Sequence, residues 1–176
     1  DKYVNSASTQ VYATTNAIIT SDVTARVVSR MIEGIVWYDL NNDGIMDDNE
    51  PKASNIKLTL TDSQGNSVTD VDENVVSDVF TDENGYYTFS NLKAYDYYVK
   101  IAMPNPTYSI TEKNVGAKAT VNSKFNQDTQ ETDLITKLNS VTLPNLVVSN
   151  QNAGLVKKPT QVVVMYKEVG TEKILA

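Results

Sequence analysis

Along this chain polar and apolar residues alternate or gather in short β-branched runs, and no stretch carries the three-to-four spacing of an amphipathic helix. The clearest alternation is Ile56-Lys57-Leu58-Thr59-Leu60-Thr61, apolar at 56, 58 and 60, which predicts a half-buried strand. Upstream, Met31-Ile32-Glu33-Gly34-Ile35-Val36-Trp37-Tyr38 is rich in β-branched and aromatic residues and predicts another. Further strands are expected at Asp78–Thr81, Tyr86–Phe89, Tyr97–Met103, Thr132–Leu138, Val141–Leu143 and Leu146–Val148. Turn signals separate them at Asp62-Ser63-Gln64-Gly65-Asn66, Asp82-Glu83-Asn84-Gly85 and Pro104-Asn105-Pro106. Asn84-Gly85 is a favoured hairpin pair, because both residues tolerate positive φ. Many short strands with frequent turns indicate an all-β sandwich or barrel.

The flanks differ from this main domain, which spans 31–158. Residues 1–30 are rich in Ser, Thr, Ala and Val. Strands are expected at Tyr3–Tyr12 and Ile18–Thr20, and the alternating Val23–Val27 runs on toward the next strand. This stretch is read as the end of a preceding β-domain or a β-extension. Lys157-Lys158-Pro159-Thr160 has the composition of a linker, and Gln161–Lys167 is a fresh strand followed by a turn at Gly170. Residues 159–176 are thus read as a linker and the first hairpin of a following β-domain, with a short resemblance to mucin-binding repeats.

Between the first two main strands lies Asp39-Leu40-Asn41-Asn42-Asp43-Gly44-Ile45-Met46-Asp47-Asp48-Asn49-Glu50. It fits the calcium-loop pattern D-x-[DN]-x-[DN]-G-x5-E at every specified position. Calcium takes six to eight hard oxygens from a tightly turned loop. Asp39, Asn41 and Asp43 offer side-chain oxygens from alternate positions, and Ile45 offers its backbone carbonyl. Asp47 stands where a ligand often acts through water, and Glu50 can close the loop with both oxygens. Gly44 permits the sharp turn. The bland alternative is an acidic, solvated turn. Because strand-like sequence flanks the loop on both sides, a helical EF-hand pair is not expected.

Composition narrows the function. The net charge of −7 and a pI of about 4.5 argue against nucleic acid or an anionic membrane surface as partner. There is no Cys, so neither disulfides nor thiol chemistry contribute. A secreted domain of this size without disulfides needs another staple, and a metal supplies one. There is no His, which removes the commonest general base and zinc ligand. No apolar run approaches a membrane span in length. No signal peptide opens the chain and no sorting signal closes it, as expected of a piece of a longer protein.

Two segments in order are distinctive: G-x-V-W-Y-D from Gly34 to Asp39, leading into the loop, and T-D-E-N-G-Y-Y-x-F-x-x-L from Thr81 to Leu92. Together they resemble the B-type repeat of serine-aspartate-repeat surface proteins, the SdrD B-like domain, within the collagen-adhesin B-type group. The resemblance runs from Gly34 to Lys158. Its later part rests on Asn122-Ser123-Lys124-Phe125-Asn126 and Asn152-Ala153-Gly154-Leu155-Val156. It implies a prealbumin-like (Ig-like) β-sandwich with an EF-hand-like calcium loop between the first two strands. It also implies an extracellular stalk module, cell-wall-anchored through its parent protein in a Gram-positive bacterium. Two departures matter. Related repeats often carry alternating aspartates where Asn122 to Asn126 stand here, and Lys124 among them opposes a further cation. Many relatives also form an internal Lys–Asn isopeptide bond that needs the Glu of a Y-x-x-x-E motif. Tyr97-Tyr98-Val99-Lys100-Ile101 has Ile there, so no such bond is expected.

Other candidates carry plainer readings. Asp70-Val71-Asp72-Glu73-Asn74 begins like a second calcium loop with Asp78 at its ninth position. Val75 replaces the glycine and Thr81 the closing Glu, so it reads better as a solvated acidic loop. Asp82 caps the Asn84-Gly85 hairpin or reaches the calcium loop. Trp37 reads as a core anchor, with carbohydrate stacking as the alternative. Tyr86, Tyr87, Tyr95, Tyr97 and Tyr98 are expected to pack across two adjacent strands, or else to form a binding face. Carboxylate pairs can serve glycoside hydrolysis, but the dense cluster is assigned to the metal and no nucleophile or phosphate motif appears. The chain is therefore read as a non-enzymatic, monomeric spacer that holds neighbouring β-domains of its polypeptide. The alternative is a module docking host protein or glycan on an aromatic sheet face.

Overall fold

The computed structural model describes residues 5–12, 18–25, 29–136, 138, 145–159, 166–167 and 174–175, with the backbone alone at 5–12, 18–25, 29, 145, 166–167 and 174–175. Strands β1 (Asn5–Tyr12) and β2 (Ile18–Ala25) pair antiparallel as a separate ribbon. The expected run-on from Val23–Val27 crosses residues 26–28, outside the described residues. The main domain is built from β3 (Ser29–Tyr38), β4 (Lys57–Asp62), β5 (Val79–Phe80), β6 (Tyr86–Phe89), β7 (Tyr97–Ile101), β8 (Tyr108–Ile110), β9 (Asn145–Val148) and β10 (Ala153–Lys157). A last antiparallel pair joins β11 (Tyr166–Lys167) to β12 (Ile174–Leu175).

The eight main strands form two layers. One runs β6-β3-β10-β8 with β9 also on β3, and the other runs β5-β4-β7. Alternation produces the packing. In β4, Leu58 and Leu60 turn inward while Lys57 stays exposed. In β7, Tyr97, Val99 and Ile101 are buried and Lys100 is not. These meet Ile32, Val36, Tyr87, Phe89, Ile110 and Leu155 of the other layer in one apolar core. Trp37 is fully buried as an anchor and offers no face to a sugar.

β9 and β10 both run parallel to β3, β9 along Ser29–Ile32 and β10 along Val36–Tyr38. The interruption between them is bridged by a side chain: Asn152 Oδ1 accepts from Ile35 N at 2.9 Å, and its Nδ2 donates to Thr120 O at 2.9 Å. Gly34 is needed opposite, since a Cβ there would lie 2.1 Å from the Gln151 carbonyl oxygen.

Several expectations change. The tyrosines do not pack across adjacent strands, because β6 and β7 lie in opposite layers. Tyr87 and Tyr97 are buried in the core, where burial pushes the Tyr97 hydroxyl up to about 12. The ring contacts formed are Tyr87–Phe89 and Tyr38–Tyr108. Among the described residues, 132–136 and Leu138 form no regular strand. This stretch follows β7 through isolated bridges, Lys100 to Glu131 and Tyr97 to Ile135, with one extra residue on its own side. That surplus is a bulge, which breaks a ladder. β8 and β10 were not expected as strands. Val141–Leu143 and 161–165 lie outside the described residues.

The turns share one design. Asp62, Asp70 and Asp82 each accept, through Oδ1, from the backbone N–H groups two and four residues on. The residue three places on has positive φ each time: Gly65, Glu73 and Gly85. The Asp70 segment is therefore a capped turn of the same kind, with Asn91 Nδ2 donating to Asp72 at 2.9 Å.

β10 is the sole strand partner of β8 among the described residues and supplies Ala153 and Leu155 to the core. A fragment of Val27 to Lys158 is expected to fold, whereas one ending at Val148 is not; far-ultraviolet circular dichroism melts distinguish them. A second prediction concerns acid. Asp78 is held below the ordinary carboxylate value by hydrogen bonds from Lys57, then Thr59, with Lys57 Nζ at 2.6 Å. Asp62 is lowered chiefly by the Asn66 backbone N–H. Lowered folded values mean the native state binds fewer protons, so this stability is complete above the unfolded value of about 3.9 and is lost below it. Melting temperature, with chelator present, is expected to fall below about pH 4. Asp78→Asn should make that fall shallower; an equally steep fall would remove Asp78 from the account.

Candidate metal centre

β3 ends at Tyr38 and the chain enters a loop closed by a neck. Tyr38 N donates to Pro51 O at 2.9 Å, Ala53 N donates to Val36 O at 2.9 Å, and Trp37 bridges Lys52. Residues 39–50 therefore leave and re-enter the layer at one place. The first and last acids of the loop are its buried ones, Asp39 at 2% and Glu50 at 5% exposure.

Glu50 ties the loop to itself. Its Oε1 accepts from Leu40 N at 2.8 Å and its Oε2 from Asp47 N at 3.1 Å. Asp39 Oδ2 accepts from Gly44 N at 2.9 Å and from the Thr111 hydroxyl at 2.5 Å, and Oδ1 accepts from Asp43 N at 3.2 Å. Asp43 Oδ1 accepts from Ile45 N at 2.8 Å. Asn41 Nδ2 donates to Asp43 Oδ2 at 2.8 Å and to Asp47 Oδ2 at 3.2 Å. The turn passes through Asn42 (φ 57°) and Gly44 (φ 76°). A side chain at Gly44 would also strike Val115, its Cβ falling 2.8 Å from Cγ2.

The loop is packed from outside as well. Asp39 N donates to Leu155 O of β10 at 2.9 Å, and Met46 N donates to Val121 O at 2.6 Å. Ile45 bridges Asn122. Lys124 fastens this covering segment, its Nζ donating to Asn122 Oδ1 and, at 3.1 Å, to Asn114 Oδ1. Burial holds the Lys124 ammonium below the usual lysine value.

Of the six candidate ligands, Asn41, Asp43 and Asp47 meet at one amide, Glu50 turns its oxygens to backbone N–H groups, Asp39 to backbone N–H groups and the Thr111 hydroxyl, and Ile45 bridges Asn122. Among the described residues no three carboxylates stand close enough together to hold an ion. The donor set nevertheless fits a hard divalent cation, being oxygen throughout. The Asn41 amide nitrogen sits between two carboxylate oxygens, while its Oδ1 accepts from Asp43 N at 3.1 Å. Asp82 belongs to its own turn, accepting from Asn84 N and Tyr86 N at 2.9 and 2.8 Å. Thr111 and Val121 were missed by sequence reasoning. No local signal marks a hydroxyl 72 residues from the carboxylate it serves.

A two-layer β-sandwich with a closed, acidic loop between the first two strands of its core is the class of domain that this fold and site define. Residues 30–148 match the SdrD B-like domain family, and the chain belongs to it. Serine-aspartate repeat-containing protein F of Staphylococcus epidermidis is 44% identical over 69 residues, covering 39% of this chain and 4% of that protein. The fibrinogen-binding protein of the same species is 43% identical over 70 residues, covering 40% and 6%. Colossin-B of Dictyostelium discoideum is 30% identical over 139 residues, covering 76% and 4%. The chain thus spans a small part of each relative. The family match ends before β10, which completes the layer in the structure.

The site also bears on covalent cross-linking. Ile101, which stands at the fifth position of the Tyr97–Ile101 segment where the cross-linking motif calls for a Glu, is fully buried in the apolar core. Asn152 is committed to Ile35 N and Thr120 O. The intact mass is expected to equal the sequence mass; a deficit of one ammonia would reveal a Lys–Asn bond.

Proposed function

We propose that this chain is a calcium-stabilised spacer module of a secreted surface protein, which holds neighbouring domains of its own polypeptide apart and in line. One observation carries the reading: the acidic loop is pinned to β3 at its neck, to β10 through Asp39 N and to the 121–122 segment through Met46 N. Whatever orders the loop orders the contacts of three separate parts of the sandwich. Calcium, when bound, supplies the positive charge that offsets Asp39, Asp43, Asp47 and Glu50. The protein's part is to present oxygens from Asp39, Asn41, Asp43, Asp47 and Glu50 and the Ile45 carbonyl on a backbone already turned by Gly44. The staphylococcal relatives support a cell-surface setting, and wall attachment through the parent protein is part of this proposal. Similarity also reaches a non-bacterial protein, Colossin-B of Dictyostelium discoideum. A monomeric, non-enzymatic role suits a module whose carboxylates are occupied in its own loop.

The docking alternative is the weaker reading. A binding face needs a contiguous exposed aromatic patch. Tyr87 and Tyr97 are buried, and Tyr86 turns its hydroxyl to Glu33 at 2.7 Å. Tyr95 is the well-exposed member of the group.

Thermal melts with calcium and with chelator test the proposal. Extracellular modules bind calcium with dissociation constants of roughly 10⁻⁴–10⁻³ M. An ion at about 100 times its dissociation constant adds about 2.7 kcal/mol by linkage, a rise on the order of 10 °C for a domain of this size. Glu50→Gln is expected to remove much of this rise. Asp48→Asn, an exposed position in the loop, should leave it nearly intact. Identical wild-type melting temperatures with calcium and with chelator would overturn the calcium reading.

A further inference from the structure

Asp39 is the loop's most buried carboxylate, and its two oxygens are treated differently. Oδ2 receives two close donors, Gly44 N at 2.9 Å and the Thr111 hydroxyl at 2.5 Å. Oδ1 receives one long contact, from Asp43 N at 3.2 Å. A carboxylate oxygen has about two lone-pair sites, so Oδ2 is saturated by the protein and Oδ1 keeps capacity for something else. The donor that makes this difference comes from outside the loop, 72 residues along the chain.

Thr111 itself is held on every side. It follows β8, is 1% exposed, and its N–H donates to Gly154 O of β10 at 2.9 Å. Its methyl group lies against Gly154, where an added Cβ would fall 2.5 Å from Thr111 Cγ2 and 2.7 Å from the Trp37 ring. With the methyl seated beside a bare glycine and the indole, the hydroxyl points to Asp39. A rotamer locked by packing presents its donor with little further loss of freedom.

We propose that Thr111 is a positioning residue for cation binding: its hydroxyl fixes Asp39 as a one-oxygen ligand through Oδ1 and links the loop to the β8–β10 edge. The inference rests on the calcium reading above and deepens it. Groups that hydrogen-bond to metal ligands set ligand orientation, and losing one typically weakens metal affinity about 10–100-fold. The effect reaches beyond the loop, because the Thr111 backbone is bonded to β10, whose Leu155 carbonyl in turn accepts from Asp39 N. Asp39, Thr111 and the β10 segment from Gly154 to Leu155 thus form a closed circuit of three hydrogen bonds joining loop, β8 and β10.

Calorimetric titration of the full chain with calcium tests this in wild type, Thr111→Val and Thr111→Ser. Valine keeps the methyl contact with Gly154 and removes the hydroxyl; serine does the reverse. The expected pattern is about 10–100-fold weaker binding in Thr111→Val and near-wild-type binding in Thr111→Ser. A residue needed only for packing would give the opposite order, and that result, or equal affinity in all three, would overturn the proposal. If Thr111→Val does not fold, amide hydrogen exchange in wild type decides. Calcium should slow the Thr111 and Gly44 amides more than the Val99 amide, which is bonded to Thr132 in the other layer. Equal slowing at all three would overturn it. A wild type that does not bind calcium at all overturns the calcium reading itself, and this inference with it.

Discussion

A carboxylate taken out of water is costly unless donors surround it, and Asp39 at 2% exposure sets that requirement for the whole domain. Its donors come from the loop and from the end of β8, so the loop cannot close correctly until the far edge of the layer is in place. β8 in turn has β10 as its strand partner, and β10 finds its place beside β3. The charged end of β3 and the last strand of the sandwich thus depend on each other. Neither the acidic loop nor the β8–β10 edge is a free appendage of the core.

What could be read in the sequence was what local chemistry determines. Alternation at 56, 58 and 60 marked β4, and Ile56, Leu58 and Leu60 are all buried. Asn84-Gly85 marked a turn, but one that carries the chain from β5 to β6 across layers, with only Gly85 at positive φ, rather than a hairpin between paired strands. The loop pattern located a closed, turned, acidic segment between the right strands, since a tight loop is a local arrangement. The family resemblance drawn from two short segments agrees with the match over 30–148.

What could not be read depends on distant partners. β8 has three residues, too few for periodicity to register, and it exists because β10 offers it an edge. β10 contains a glycine that local propensity counts against a strand. That glycine is there because Thr111 and Trp37 need the space. Thr132–Leu138 has strand-like composition, yet a single surplus residue against β7 breaks its ladder. The tyrosines looked like neighbours because they are close in sequence, while the connection between β6 and β7 carries the chain from one layer to the other. Lys124, too, shows its use only in the folded chain, as the fastener of the segment that covers the loop.

The parallel pairing of β3 with β10 has a mechanical consequence. The core opens with β3 and closes with β10, and because they run the same way, the start of one and the end of the other lie at opposite poles. Tension applied along the polypeptide would therefore pull these two strands past each other lengthwise. Their hydrogen bonds, with the Asp39-to-Leu155 bond at the loop end of the row, are loaded together in shear rather than opened one after another as in a zipper. Force applied to the two ends of this domain would load that short row as a unit.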